Sequence, residues 1–519
     1  EELPQRGLTR TSLAEEFPYS SKGTKSIICS DGISDNDAYE TAHYLRAQGK
    51  NDEAYEYIKL AYQKNPKNMT FFSEYMYLLK LTCRWREFNQ HWHIVQKAID
   101  LRDYDILQKF QGWGIYWGFS MEIMYGLLTR FLKQSEVPLE LQYVHQLRTP
   151  KKIKIAYITS NFRECAQGFQ MMNYFKRHNR DEFELFAFSI FPTQSSTGIK
   201  YREIIKDQFD HWYDAHDLIP RDLADLLVCC GIDIAIDLCG LADHPKIDTF
   251  AFRPAPVQIS FLGYPGTTGA SYLDFYVSDK ISSPPSMAHY FSEKLIYMPD
   301  TYQFGEHMDE YNLVPITEES DQIIFCNFNF SIKISHEIFI VWMNILKAVP
   351  NSVLWLLDYG VKDHILKEVA LQGVDTARVI VLPMVSKQEH MKRMQKADLL
   401  LDTTNYNAHT SAADALWAGV PVLTILEEMM PARVCASILT SSGLPELITH
   451  SVDEYQKMAI DLATNPSKLK ELKNKIELTK KKMPVFNLDK YVHNFELALK
   501  ETWRQFSAGE QFKSFKVNQ

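Results

Sequence analysis

Metal-ligand and redox motifs are missing from this 519-residue chain. Its eight cysteines, Cys29, Cys83, Cys165, Cys229, Cys230, Cys239, Cys326 and Cys435, form no C-x-x-C pair and no Cys/His cluster at zinc spacing. They read as buried or free thiols, which excludes a disulfide miniprotein and makes a reducing, cytoplasmic location the expectation. No run approaches the roughly 18 apolar residues of a membrane span, and the opening EELPQRGLTRTSLAEEF is polar, so neither a transmembrane helix nor a signal peptide is expected. Basic charge is also short. Fifty-six Lys and Arg face 65 Asp and Glu, a net charge of −9 without a basic stripe, so nucleic acid is not an expected partner. The G-x-G-x-x-G and G-x-x-x-x-G-K-[ST] spacings are absent, which excludes the dinucleotide fingerprint and the P-loop.

What is present is ordinary globular material, 45% hydrophobic and 23% charged, long enough for about three structural units at roughly 150 residues each. Residues 1–34 show no periodicity and read as an extended or poorly ordered arm. From Asp35 a helical period sets in. Ala42, Gly49, Ala54, Ala61 and Pro66 fall at the spacing of a 34-residue tetratricopeptide unit, where small residues let paired helices approach, glycine makes the turn and proline stops the second helix. A shift of 34 lands on Met76, Cys83, Phe88, Val95 and Asp100, a degenerate second copy. Helical, aromatic-rich sequence, with Trp113, Trp117 and Met121, runs on to the end of a 35–147 region.

At Arg148 the texture changes to short apolar runs separated by helical stretches. Ile153–Ile158, Phe183–Phe188 and Ile232–Asp237 make one series, and Gln322–Cys326, Val353–Leu357, Val379–Leu382, Leu399–Leu401 and Pro421–Thr424 a second. This alternation predicts an α/β architecture of two doubly wound parallel-sheet lobes, 148–318 and 319–519, with C-terminal helices closing the second. A cleft between them, where strand ends meet helix starts, suits a nucleotide.

Four segments there carry chemistry. Ala408-His409-Thr410-Ser411 opens a helix after a strand, so free N–H groups and two hydroxyls suit a phosphate, although Ser411 and Asp414 also fit a plain capping box. Phe261 to Gly269 is a glycine-rich turn able to bring backbone close to a ligand, or a surface turn. Lys333, just past the first strand of the second lobe, is placed to neutralise a diphosphate, unless it is merely solvated. Lys387, His390 and Arg393 share a helical face. The triplets Asp35-Asn-Asp37 and Asp103-Tyr-Asp105 read as surface charge in the helical region, not as metal ligands.

These segments together resemble the O-GlcNAc transferase family, glycosyltransferase family 41, in its bacterial-type tetratricopeptide form. The likeness lies in ordered blocks: Phe252 to Gly269, Ser292 to Asp300, Cys326-Asn-Phe-Asn329, Val349 to Leu357, and Ala408 to Val422. The resemblance implies a GT-B glycosyltransferase with two Rossmann-like lobes. It would move a sugar, GlcNAc first, from a UDP donor to protein Ser or Thr, inverting the anomeric carbon and needing no metal or other cofactor. By position Lys333 matches the lysine that stabilises the leaving diphosphate, and His409, Thr410 and Ser411 the phosphate-holding motif. Asp414 matches the ribose carboxylate, Lys387 and Arg393 basic residues near the nucleoside, and His390 the histidine that stacks on uracil. Leu262, Gly263 and Pro265 match the sugar-lining loop, and Tyr406 sits where the family varies its pocket. The protein acceptor is expected at the helical repeats and the cleft, with no membrane partner.

Three positions depart from the family. Cys165 stands where a first-lobe histidine is usual, Asp237-Leu-Cys-Gly-Leu-Ala242 lacks an aromatic or imidazole and a hydroxyl, and Phe330 replaces a glutamine. His244 is a candidate to compensate for the missing base. Glucose or fucose as donor sugar and Asn as acceptor stay open, as does a nucleotide-sugar-binding scaffold with decayed catalysis.

Overall fold

The computed structural model describes residues 32–191, 196–242, 244–305, 311, 313 and 322–518; the expected arm at 1–34 lies almost wholly outside them. The chain divides into two compact units, 1–91 and 92–519. In the first, the helices Asp35–Ala47 and Asn51–Lys64 form a hairpin. Ala38, Ala42, Ala54 and Ala61 are buried in it, which is why the spacing of small residues was visible, and Gly49 takes the positive φ of 74° that the turn requires. Met69–Leu81 and Trp85–Asp100 are the next two helices, and the first unit ends within the latter. Cys83 occupies the turn position of the degenerate repeat at φ 57°, a left-handed conformation that glycine would take at lower cost.

In the second unit, short helices lead through Gly114–Tyr116 and Met121–Lys133 into two parallel sheets. The first is built from β1 (Ile153–Thr159), β2 (Phe183–Ser189), β3 (His211–Asp214), β4 (Ile234–Asp237), β5 (Val257–Ser260), β6 (Phe275–Asp279) and β7 (Lys294–Met298). The second holds β8 (Ile323–Asn327), β9 (Ser352–Leu357), β10 (Val379–Leu382), β11 (Leu399–Leu401), β12 (Val422–Ile425) and β13 (Ile448–Thr449). One further strand, β14 (Phe515–Lys516), returns to the first sheet beside β7. Strand orders are β14-β7-β6-β5-β4-β1-β2-β3 and β10-β9-β8-β11-β12-β13, and the ladders are parallel. Strands buried on both faces need continuous apolar runs, and Ile155-Ala156-Tyr157 and Leu399-Leu400-Leu401 are such runs.

The orders fix where ligands go. The chain reverses direction across the first sheet between β1 and β4, and across the second between β8 and β11. At these switch points the loops leaving the strand ends part and open a crevice. The lobes meet around Asp279 at the end of β6. Its carboxylate accepts from Ser282 Oγ (2.8 Å), Tyr302 N (3.0 Å) and Ser437 Oγ (2.8 Å) of the second lobe, while Arg433 Nε donates to Ile281 O at 2.7 Å. The helix Leu488–Ser507 then recrosses to the first lobe. Its Glu496 accepts from Asn179 N (2.7 Å) and pairs with the buried His178 (3.1 Å).

Candidate active site

The β8/β11 switch point is built around a buried carboxylate. Asp402, one residue past β11, accepts from the backbone N–H of Thr403 (2.8 Å) and Ala408 (2.7 Å) and from Thr424 Oγ1 (2.7 Å). Asn329 Nδ2 adds a longer bond at 3.3 Å. This binds the 403–408 loop back onto the sheet and aims the following helix, Thr410–Trp417, at the crevice. Burial pushes the Asp402 carboxyl above its ordinary value, with the hydrogen bonds and Lys333 acting against it. Asn327 and Asn329 complete the frame: Asn327 Nδ2 donates to Leu401 O (2.7 Å), and Asn329 Oδ1 accepts from Ser411 Oγ (2.8 Å).

Lys333 ends a 3₁₀ turn just beyond β8. Its Nζ donates to Asn407 O at 3.1 Å and stands 3.9 Å from the centroid of the Tyr406 ring. Burial pulls its pKa down to about 8, and Asp402 opposes the shift. His409 caps the helix in backbone only. Its Nε2 donates to Pro431 O at 3.0 Å, and burial, reinforced by the Lys333 charge, keeps the imidazole neutral. Pro431 O also accepts from Asn407 N at 3.0 Å, so one carbonyl fixes both His409 and the residue whose own carbonyl accepts from the lysine. Among the described residues nothing accepts from the backbone N–H of Thr410 or Ser411. Two free donors at a helix start beside an ammonium make an anion cradle. The capping box is not formed: the Ser411 hydroxyl goes to Asn329, and Asp414 pairs with Lys387.

The residues expected near a nucleoside lie on the helix Lys387–Met394, held by a true capping box between Ser386 and Glu389. Lys387 Nζ meets Asp414 Oδ2 at 2.5 Å. One turn on, His390 Nδ1 accepts from Arg393 Nη2 (2.9 Å), and its ring stands edge-on to Phe328 with centroids 5.0 Å apart. Burial depresses the His390 pKa to about 4, so the ring is neutral and able to stack on a flat, uncharged base. Arg393 Nη1 donates to Pro383 O (2.8 Å), while its buried Nε has no partner among the described residues.

A cleft enclosing about 350 Å³, open solvent included, joins these groups to the first lobe. Phe169, Gln170 and Phe304 line one wall and Lys387, Thr410 and Asp414 the other. Gln170 is pinned by Gln303 Oε1 at 2.7 Å and Phe304 O at 2.5 Å. Leu262, Gly263 and Pro265, expected to line a sugar, follow β5 and lie against the loop that leaves β4. Leu262 holds φ 69°, a strained conformation for a leucine, and a Cβ on Gly263 would come within 2.2 Å of Leu238 O. Thr267 Oγ1 and Thr268 N fasten the loop to the buried Glu293 at 2.7 and 2.8 Å, the physical content of the Ser292-Glu293 block. Cys165 caps the helix Ala166–Met171, its sulfur accepting from Gly168 N at 3.4 Å. His244 sits in an exposed turn at φ 50°, edge-on to Phe191 at 5.3 Å.

The sequence profile of glycosyl transferase family 41 matches residues 134–319 and 314–495. The chain belongs to glycosyl transferase family 41. This family-41 chain is 34% identical over 380 residues to the probable UDP-N-acetylglucosamine–peptide N-acetylglucosaminyltransferase SEC of Arabidopsis thaliana, covering 71% of the chain and 39% of that protein. Over 479 residues it is 26% identical to the UDP-N-acetylglucosamine–peptide N-acetylglucosaminyltransferase of Caenorhabditis elegans, covering 69% and 41%. It thus spans about two fifths of the length of these curated relatives. A Thermobaculum terrenum O-GlcNAc transferase mutant shares its fold, with a TM-score of 0.80, 21% identity and 92% of each chain covered. The family-41 architecture is therefore the two-lobed GT-B fold behind a helical, tetratricopeptide-like region.

Both D-x-D triplets serve helix starts: Ser34 caps the helix that opens at Asp35, and Asp103 caps the one that opens at Tyr104. Among the described residues no group of three or more His, Cys, Asp or Glu side chains is placed to hold a metal ion, and no helix is long and apolar enough to cross a membrane. Four contributors to the site escaped the sequence reading: Asp402, Asn327, Asn329 and Gln170. Asn327 and Asn329 stand in the Cys326–Asn329 block and Asp402 directly follows the Leu399–Leu401 run, where a polar residue closing an apolar strand is the available signal.

Proposed function

We propose that this chain is the catalytic part of a protein glycosyltransferase that moves a sugar, GlcNAc first, from a UDP donor to a Ser or Thr hydroxyl with inversion and without a metal. The observation that carries the reading is the Lys333 ammonium beside the free N–H groups of Thr410 and Ser411 at the β8/β11 switch point. The acceptor oxygen forms its bond to the anomeric carbon as the bond to the diphosphate breaks, and UDP leaves with the electron pair. Lys333, Thr410 and Ser411 meet the charge that develops on the leaving oxygen, which is where an enzyme gains most. Asp414 binds the ribose, Lys387 and Arg393 lie near the nucleoside, His390 stacks on the uracil, and Leu262, Gly263, Pro265 and Tyr406 line the sugar.

The hydroxyl proton goes late, to a donor phosphate oxygen or water, because Cys165 supplies a helix cap where an imidazole would stand. The names of the relatives support UDP-GlcNAc and a peptide acceptor. The changed first-lobe positions keep glucose or fucose as the alternative donor sugar and Asn as the alternative acceptor, and they favour, as second reading, a UDP-sugar-binding scaffold. We further assign acceptor capture to the helical region 35–147 and the cleft, with catalytic lobes at 148–318 and 319–519, in a reducing cytoplasm that suits the seven unpaired cysteines of the described residues. Lys333→Met is the test, with UDP-GlcNAc and a protein acceptor. Transfer should fall by about 100-fold or more, the scale of losing one charge-stabilising group. Unchanged transfer sinks the assignment, and UDP binding without transfer by the unmodified chain selects the scaffold.

A further inference from the structure

The donor site borrows a side chain from the segment that precedes both sheets. Tyr116 ends the 3₁₀ turn Gly114–Tyr116, ahead of residue 134 where the family match begins. Its ring stacks on Tyr406, with centroids 5.0 Å apart and planes 12° from parallel. The same Tyr406 ring lies 4.7 Å from His409 and 3.9 Å from Lys333 Nζ. The backbones close in as well: a Cβ on Gly118, at φ 75°, would meet Asn405 Oδ1 at 2.6 Å. Asn405 itself holds φ 63° and donates its N–H to Glu427 Oε2 at 2.5 Å. Behind Tyr116 the turn is anchored by Trp117, packed on Phe110 at 5.2 Å and on Trp92 at 6.2 Å.

We propose that Tyr116 is a positioning residue of the donor site, fixing by stacking the Tyr406 ring against which the Lys333 ammonium is held. This rests on the reading of Lys333 as the cation that meets the leaving diphosphate. A ring face attracts a cation only when it is turned toward it and water is kept out. Asp402 ties the 403–408 loop down from the sheet, but none of its hydrogen bonds reaches the Tyr406 ring. His409 packs against that ring at a tilt and Tyr116 covers a face of it in parallel, and Lys333 feels the covered ring as a drier site. The segment before the lobes thereby positions a side chain of the donor site.

The test uses the whole chain with Tyr116→Ala, Tyr116→Phe and Lys333→Met. Uridine diphosphate affinity is read by calorimetry at pH 7. Tyr116→Ala should weaken it about fivefold, the scale of one stacking or cation–π contact, and Tyr116→Phe should restore it. In a Lys333→Met background Tyr116→Ala should change it by less than about twofold, because the effect runs through the ammonium. An equal loss in both backgrounds, or none in either, overturns the proposal. A second readout needs no nucleotide: the Lys333 ε-carbon resonance of lysine-labelled protein, assigned by its absence in Lys333→Met, is titrated with pH. Tyr116→Ala should raise its midpoint by about half a unit or more as water enters, and Tyr116→Phe should not. An unmoved midpoint in Tyr116→Ala overturns the proposal, whereas absence of UDP binding by the unmodified chain counts against the donor-site reading alone. Should Tyr116→Ala fail to fold, Tyr116→Leu takes its place.

Discussion

At pH 8 the binding of uridine diphosphate should draw about half a proton from solution, and Lys333 should be the group that takes it. Burial lowers the pKa of this lysine to about 8 in the free chain, so about half of the molecules carry it neutral at that pH and about one in ten at pH 7. A diphosphate seated at the Thr410 helix start puts negative charge beside the amine and favours its ammonium form, which returns the pKa toward the ordinary 10.5. The protonated fraction therefore rises on binding from about one half to nearly one at pH 8. His390, depressed to about 4, and His409, held well below its usual range by burial, stay neutral and contribute nothing there. Only chains already bearing the ammonium bind well, so affinity should fall about tenfold between pH 7 and pH 9, about 1.4 kcal/mol. Calorimetry in two buffers of different ionisation enthalpy, at matched pH 8, reads the proton count from the slope of heat against buffer enthalpy. Lys333→Met should flatten that slope and remove the pH dependence. A zero slope in the unmodified chain, or one that survives in Lys333→Met, refutes the reasoning.

Two further outcomes follow from the packing. Gly263→Ala would force a Cβ to within 2.2 Å of Leu238 O and 2.7 Å of Cys239 O, backbone atoms that cannot swing aside, so the loop after β5 must move. A loss of about 2 kcal/mol of stability is expected, together with a larger fall in transfer than in UDP affinity, and an unchanged melting temperature would contradict it. His178, wholly buried, bonds to Glu496 Oε1 and to the Tyr157 hydroxyl. Burial lowers the His178 pKa; burial would raise that of Glu496, but bonds from His178 and Asn179 turn it downward. The unfolded chain then takes up protons below about pH 6.5 that the folded chain refuses, and later at Glu496, so stability should fall on acidification from about 6.5. The melting temperature should drop more steeply between pH 7 and 5 in the unmodified chain than in His178→Leu/Glu496→Leu, and equal slopes would refute the link.

Much of this fold could be read from pattern because its signals are local. Apolar runs such as Val379–Leu382 and Leu399–Leu401 became strands with the same bounds: the second is buried throughout, and the first, at the sheet's edge, is rich in β-branched residues and paired along one side. The paired alanines of the first hairpin and the helix opening at Thr410 were legible for the same reason. What escaped depends on partners far along the chain. Ser411 and Asp414 have the spacing of a capping box, yet each is taken by a partner from another element, Asn329 or Lys387. Asp402 looks like a strand's polar end until the fold brings Asn329 and Thr424 to it. Tyr116 had no signal at all, because 290 residues separate it from Tyr406 and its neighbours are aromatic too.

The strand β14 has a consequence for the order in which the molecule is made. Phe515 and Lys516 pair with Ile296 and Tyr297, Ser514 Oγ accepts from Leu295 N at 2.8 Å, and Phe512 covers Phe275. On a ribosome, the outer edge of β7 emerges roughly 220 residues before the strand that covers it, a wait on the order of 10–40 s at ordinary rates of synthesis. During that interval Leu295, Ile296 and Tyr297 present an unpaired apolar edge of the kind that recruits foreign strands. Of the two lobes, the one translated first is thus closed only after the second has been made.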